Sequence, residues 1–346
     1  ACSSCPVTGR KRQISTMMHG IPEGLLGKLN ARGYTVEEGD PLDVGAEKWV
    51  YSALVNGSNT GAVLLYSKRR IEPGSKSCWA WNYKRELELF QALQDQGENE
   101  NIIRMIDFVD PSEEGAVAHG PCMVLEKIEP LGFDLFKVVK QYQGACERTM
   151  PVAQWLHYFD QIIKGVKHLH KLGWGHCDLK PDNVLVGECH NVKIIDFGMA
   201  KKLRVDRHPG QFALYAPPEF ANLRRKVEES ADAWLMGAMM FVVFAQMQVA
   251  FRTQTGQLFQ VTDHRDAKKN GVTKAIRQWW GKEVDPSMAE AIDGLLQRDP
   301  QNRWTIQQLE EWCAKTKAAQ VEHHEEVKFK NLPRASSVSL PSTRFC

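Results

Sequence analysis

The sequence predicts an α+β fold in two lobes, a small β-rich lobe followed by a larger helical one. Three observations carry this. The chain has 346 residues, which at about 150 residues per domain allows two compact units or one large two-lobed fold. Residues 45–130 alternate short β-like runs with a single helix, and residues 150–320 read as mostly helical. Apolar residues at 43% and charged residues at 25% supply a sizeable core and exclude bulk disorder. The net charge of +2 points to neither nucleic acid nor an acidic membrane surface.

Taken in order, residues 1–20, with Gly9-Arg10-Lys11-Arg12, have the composition of a flexible segment. The first lobe is expected over 21–126 and the second over 127–320. A tail rich in Pro and Ser is expected over 321–346. Trp49 to Leu54, a turn over Asn56 to Gly61, and Ala62 to Tyr66 read as strand, hairpin and strand. Trp81 to Leu93 reads as a helix with Leu89 and Leu93 on one face. Ile102 to Ile106 and Met123 to Leu125 are further strand candidates. Trp155, Phe159, Ile162, Val166 and Leu169 recur at helical spacing and stop near Gly173. The apolar stretch Ala238 to Phe251 contains Gln246 and Gln248 and falls short of the ~18 residues a membrane span requires. The chain begins at Ala1 with no apolar signal segment, so any targeting segment is expected to have been removed. Of nine cysteines only Cys2 and Cys5 have metal-like spacing, and no second pair completes a zinc site. The count hints at a secretory history, and a Cys177–Cys189 pair stays open.

The chemistry concentrates in His176-Cys177-Asp178-Leu179-Lys180-Pro181-Asp182-Asn183, followed by Ile195-Asp196-Phe197-Gly198. Phosphoryl transfer needs a carboxylate that takes the hydroxyl proton and aims the nucleophile, and a cation beside the γ-phosphate. It also needs an amide oxygen and a second carboxylate to hold Mg²⁺. Asp178, Lys180, Asn183 and Asp196 have those groups in order. Over about residues 40–315 the sequence here resembles the eukaryotic protein kinases, which implies the bilobal kinase fold. The resemblance makes Asp178, Lys180 and Asn183 catalytic and Asn183 and Asp196 the metal ligands. It places Lys68, Glu86, Glu126 and Leu185 around the nucleotide with Asp196. It also assigns framework roles. Phe90, Met105, His176 and Phe197 form a stack. Glu219, in Pro217-Pro218-Glu219, pairs with Arg303. Asp232 caps the catalytic-loop backbone.

The nucleotide-gripping side departs from the pattern. With Val50 to Ala53 fixing the register, the three glycine positions hold Asp43, Gly45 and Lys48. Only one glycine is left to let backbone N–H groups close over phosphates without a Cβ in the way. Ser67 takes the strand-lysine position. Lys68, the next residue, falls on the opposite face of a regular strand, and Leu65 replaces the small residue under the adenine. Cys177 replaces the arginine that binds an activation-segment phosphate, and residues 199–214 contain no Ser, Thr or Tyr. Phe212 stands where a hydroxyl residue usually bridges the catalytic Asp and Lys.

The absent glycines, Cys177 and the many cysteines are similar to the secreted apicomplexan with-no-Gly-loop kinases, related to the rhoptry kinases. That resemblance implies secretion into the parasitophorous vacuole or cyst wall, with vacuolar or cyst-wall proteins as neighbours. Losing one phosphate-positioning contact costs roughly 10²–10³ in rate. The expectation is therefore a pseudokinase acting as a binding or scaffold module with weak or no phosphotransfer, a role that does not require a cofactor. The alternative is an active, atypical Ser/Thr kinase using Mg²⁺ and ATP. A small-molecule phosphotransferase on the same fold is disfavoured by the Glu219 and Arg303 pair. Arg334-Ala335-Ser336-Ser337 reads as a solvated tail, Trp279-Trp280 as core, and His323-His324 as an exposed helix end.

Overall fold

A computed structural model describes residues 21–37, 39–44, 48–67, 83–111, 120–129, 133–146, 150–208, 215–245, 250–252, 258–263, 268, 271–280 and 284–323. The expected flexible segment 1–20 and the tail beyond 323 lie outside the described residues, as do Lys68, Gly45 and Phe212. The chain divides into two compact units. The first comprises residues 1–81 and 106–127, and the second comprises residues 82–105 and 128–346.

The first unit is built on a sheet. Helix α1 (Glu23–Ala31) leads into β1 (Tyr34–Val36), β2 (Asp43–Val44), β3 (Lys48–Val55) and β4 (Ser58–Ser67). After α2 (Tyr83–Gln96), which belongs to the second unit, come β5 (Met105–Val109) and β6 (Cys122–Glu126). The strand order is β1-β3-β4-β6-β5, with β2 paired to β3. The β3–β4 turn is tighter than expected. It occupies Asn56-Gly57 alone, with φ of 51° and 67°, and Ser58 to Gly61 are already strand. Asn-Gly with both φ positive is the two-residue turn whose twist suits a hairpin.

Helix α1 has no counterpart in the periodicity reading. It starts after Pro22, with Glu23 in its first turn, and leaves through Gly33 at φ +84°. Its Leu25 and Leu29 are fully buried against Tyr34, Tyr51, Ala53, Val109, Cys122 and Val124. That fills one face of the sheet, which a lone sheet leaves wet. Arg32 Nη1 donates to Asp107 Oδ1 at 2.9 Å and to the Phe108 carbonyl at 2.8 Å, fixing the exit of α1 to β5.

The second unit adds to α2 the helices α3 (Leu135–Cys146) and α4 (Val152–Lys171), then β7 (Trp174–Gly175), β8 (Val184–Val186), β9 (Val192–Ile194) and β10 (Lys201–Lys202). Helix α5 (Ser230–Ala245) follows, then the short pair β11 (Ala250–Arg252) and β12 (Leu258–Gln260), and finally α6 (Val272–Trp280), α7 (Pro286–Leu295) and α8 (Ile306–His323). Every residue of α5 from Ala231 to Ala245 is buried, as expected of a helix apolar all round at the centre of a unit. Gly237 lets α5 meet α7, because a Cβ there would lie 2.6 Å from Leu295 Cβ. No helix among the described residues is long and apolar enough to cross a membrane.

One strand boundary is corrected, and two further features bear on the sequence reading. The strand at Ile102 to Ile106 starts only at Met105, and Ile102 instead forms a lone parallel bridge to Ile194. Residues 82–105, expected in the first lobe, group with the second unit. The reason is packing: Phe90 of α2 meets Phe197, with ring centroids 5.4 Å apart. Cys177 and Cys189 are both free thiols, as are Cys122 and Cys313. Cys177 is buried in the catalytic loop, and Cys189 is exposed in the turn between β8 and β9.

One ion pair expected from the sequence anchors this unit. Arg303 donates from Nη1 to Glu219 Oε1 at 2.6 Å and from Nη2 to Oε2 at 3.0 Å. Its remaining donors reach the Ser230 carbonyl at 2.7 Å and the Gln297 carbonyl at 3.0 Å. The guanidinium carbon sits 5.0 Å from the centroid of the Trp234 ring. Both charges are buried, so removing one strands the other. Arg303→Ala or Glu219→Ala is expected to lower stability by about 3–5 kcal/mol in denaturant unfolding. Arg303→Lys should recover little, because an ammonium cannot reproduce the planar fork.

Candidate active site

The catalytic loop runs from β7 to the short 3₁₀ turn Pro181–Asn183, and its side chains converge as the sequence predicts. Lys180 Nζ donates to Asp178 Oδ2 at 2.8 Å. Asn183 Nδ2 donates to the Asp178 carbonyl at 2.8 Å and to Asp178 Oδ2 at 3.1 Å. Both amide hydrogens of Asn183 are thereby committed, and its Oδ1 is the atom left to offer a cation. Pro181 at the start of the turn costs no hydrogen bond and presets its φ.

The backbone of this loop is strained, and Asp232 holds it. Cys177 has φ +64°, a left-handed conformation that costs an L-residue with a Cβ about 1–2 kcal/mol. Asp232, in the first turn of α5, accepts from the N–H groups of His176 and Cys177 at 2.9 Å each. His170 Nε2 adds a contact at 2.8 Å to Oδ2. Burial pushes the Asp232 carboxyl up, but the hydrogen bond from His170 beside it and the Cys177 N–H outweigh that and hold it below the usual range.

His176 joins the loop to the Asp196 segment. Its Nδ1 accepts from the Asp178 N–H at 3.2 Å and its Nε2 lies 3.0 Å from the Ile195 carbonyl. That arrangement suits a neutral ring with the proton on Nε2. The His176 ring lies 5.2 Å from that of Phe197, which meets Phe90 edge to face. Met105 borders the same small cavity as Phe90. The four expected stack residues are therefore all buried in one unit. Glu86, one helical turn before Phe90, is 1% exposed. Asp196 has φ +62°, a second left-handed residue, and its Oδ1 accepts weakly from Gly198 N–H at 3.4 Å. Cys177 and Asp196 thus share the left-handed conformation that Cys189, His190 and Arg204 also adopt in this unit.

Cys177 leaves no trace of the missing arginine. Its side chain packs with Leu203, Ala216, Phe220, Val227 and Ala231. Burial, then the negative charge of Asp232, pushes the thiol well above its ordinary pKa.

In the first unit, the two strands that would roof a nucleotide are paired. Asp43 lies opposite Val50 and Val44 opposite Trp49. Leu65 lies opposite Val50 on one side and Met123 on the other. Glu126, the expected first hinge residue, ends β6 opposite Ala62. Leu185 is half-buried on β8 opposite Lys193. Ser67 ends β4 directly opposite Lys48. Cross-strand partners share a sheet face, so Lys48 sits on the face to which position 67 belongs. Sequence reasoning counted Lys48 only as a missing glycine, and strand register is the signal that finds it. His170, the third partner of Asp232, was likewise passed over. It has no motif of its own.

Asp232→Ala leaves two buried N–H donors without an acceptor and strips the part-buried His170 ring of its partner, each buried donor costing about 1–3 kcal/mol, and is expected to destabilise the chain by at least about 3 kcal/mol. The pH dependence has a definite sign. A carboxyl held below its unfolded pKa of about 3.9 stabilises the fold above that pH and loses its effect as pH falls through the lower folded value. The stability gap between wild type and Asp232→Asn should stay flat from pH 7 to about 5 and narrow below about pH 4. A gap that widens on acidification would contradict this account.

Comparison with known proteins agrees with this geometry. Residues 45–312 match the protein kinase domain. The chain is similar to the mitogen-activated protein kinase HOG1 of Ustilaginoidea virens, at 30% identity over 212 residues covering 60% of this chain and 52% of that protein. It is similar to the mitogen-activated protein kinase p38b of Drosophila melanogaster, at 27% over 233 residues covering 66% and 57%. It is also similar to the serine/threonine-protein kinase ppk34 of Schizosaccharomyces pombe, at 26% over 231 residues covering 65% and 58%. The chain spans little more than half the length of these curated relatives. With the domain match running across well over half of the sequence, and the catalytic loop assembled as described, the chain belongs to the protein kinase family.

Proposed function

We propose that the chain is a Ser/Thr protein kinase that uses Mg²⁺ and ATP without a glycine-rich loop, the alternative weighed on sequence grounds. One observation carries this reading: Asp178, Lys180 and Asn183 are joined by hydrogen bonds while Asp196 is held in a strained left-handed conformation. The oxygen donors of Asn183 and Asp196 fit a hard cation. Such an ion takes most of its remaining ligands from phosphates and water. When bound, Mg²⁺ neutralises charge across the phosphates. Asp178 accepts the hydroxyl proton and aims the oxygen at phosphorus. Lys180, 2.8 Å from Asp178, balances the transferring group. Lys48 supplies the ammonium that Ser67 lacks.

A second reading rests on the first unit. Asp43 at a glycine position and Ser67 at the lysine position favour a pseudokinase that binds partners without turnover. In either case the resemblance to the secreted with-no-Gly-loop group, and within it to the bradyzoite pseudokinase, supports secretion to the parasitophorous vacuole or cyst wall. Vacuolar or cyst-wall proteins are then the partners or substrates.

Two measurements separate the readings. ATP with Mg²⁺ at about 100 times its dissociation constant should stabilise the full chain by roughly 2.7 kcal/mol in thermal unfolding. Labelled phosphate should pass to a generic acceptor such as casein, falling by roughly 10²–10⁴ in Asp178→Asn. Lys48→Met should cost roughly 10²–10³ in the same assay. If Lys68→Met shows that loss and Lys48→Met does not, Lys68 is the working lysine. No thermal shift and no transfer would leave the pseudokinase reading in force.

A further inference from the structure

Helix α2 carries Glu86 on its buried side, and the next residues toward solvent make two charged contacts to the segment after Asp196. Arg85 Nη1 donates to Asp206 Oδ2. Glu88, one turn along on the same face, accepts from Lys202 Nζ. The same Asp206 Oδ2 accepts the Lys202 backbone N–H at 2.7 Å. The Asp206 backbone is held on both sides. Its N–H donates to the Lys202 carbonyl at 3.0 Å, and its carbonyl accepts from Val227 N–H at 2.9 Å. The strand bearing Lys202 is itself paired to β7, just before the catalytic loop. Arg85 and Asp206 side chains are 29% and 20% exposed, so the pair is partly withdrawn from water, unlike ordinary surface pairs.

We propose that Arg85 and Asp206 are positioning residues whose ion pair locks α2, and with it Glu86, to the activation segment, so that a permanent carboxylate does the work of a regulatory phosphate. The inference deepens the kinase reading above by naming how that site is controlled. Three facts converge on it. Residues 199–214 hold no hydroxyl to phosphorylate. Cys177 has removed the catalytic-loop cation and sits among apolar side chains. The α2 cation is retained and finds a carboxylate. The charges match: a phosphate brings about −1.5 to −2 and calls for more than one cation, whereas one carboxylate satisfies one guanidinium. Losing the second cation and losing the phosphate are one electrostatic change.

The test uses the full chain. Asp206→Asn keeps the shape and an acceptor for the Lys202 N–H but removes the charge. Arg85→Gln removes the other partner, and Arg85→Lys keeps the charge. The readouts are kcat and KM for a protein acceptor, amide hydrogen exchange across residues 83–96, and the melting temperature. Each neutral variant is expected to lower kcat about tenfold and to speed α2 exchange about tenfold, the scale of one hydrogen bond to a charged group. KM and melting temperature should change little, and Arg85→Lys should recover most of the loss. The double variant should be no worse than either single one, as for a pair acting as a unit. Wild-type kcat and wild-type α2 exchange in both neutral variants would overturn the proposal. So would a double loss equal to the product of the single losses. If the wild-type chain transfers no phosphate, the kinase reading fails separately and the exchange measurement alone decides. Faster α2 exchange in Arg85→Gln, reversed in Arg85→Lys, upholds the lock, and unchanged exchange refutes it.

Discussion

Two oxygen atoms of Asp232 hold the catalytic loop of the second unit in shape. One takes the N–H of Cys177, and the other takes the N–H of His176 and a contact from His170. Without them the left-handed turn at Cys177 has nothing to oppose its relaxation, and His176 loses the position from which it reaches Ile195 and Asp178. The order of cause runs from a buried helix to a cap, from the cap to a strained turn, and from the turn to the placement of Asp178. Burial alone would neutralise this carboxyl, and the donors around it keep it charged. Because α5 is buried throughout, the cap is fixed to an element that cannot shift without disturbing the core of the unit.

The residues of the kinase pattern were legible because phosphoryl transfer restricts both residue type and spacing. Asp178, Lys180, Asn183 and Asp196 come in an order that packing alone does not produce. The Glu219 and Arg303 pair was legible for the same reason, since a buried charge needs a stated partner. Helix α1 was not legible. It is short, and its Leu25 and Leu29 gain their meaning only from the sheet face they cover. The register of β3 against β4 was out of reach too, because a slip of one residue turns every side chain to the other face. The placement of Lys48 opposite Ser67 is therefore a tertiary fact. Asp206 was invisible for a plainer reason, being one acidic residue in an ordinary charged segment until α2 is laid beside it.

The two units carry unequal shares of the family's pattern. The second keeps its capped catalytic loop, its ring stack and its buried ion pair. In the first, the sheet is intact and anchored by α1, while the residues that should surround triphosphate have changed. Mutational freedom of this kind follows from how each part works. A residue on one strand can be exchanged for the one opposite it on the neighbouring strand and stay on the same sheet face. A proton acceptor and its cap act as a unit, so partial loss is close to total loss.

The sulfur of Cys177 gives the loop one more property. Thiol chemistry runs through the thiolate, and burial beside Asp232 suppresses that form. Alkylating reagents and peroxides therefore pass over the cysteine three positions before Lys180 and one before Asp178, whereas Cys189 is exposed. In an oxidising compartment the catalytic loop stays chemically silent, and a covalent inhibitor aimed at this atypical cysteine would have no handle.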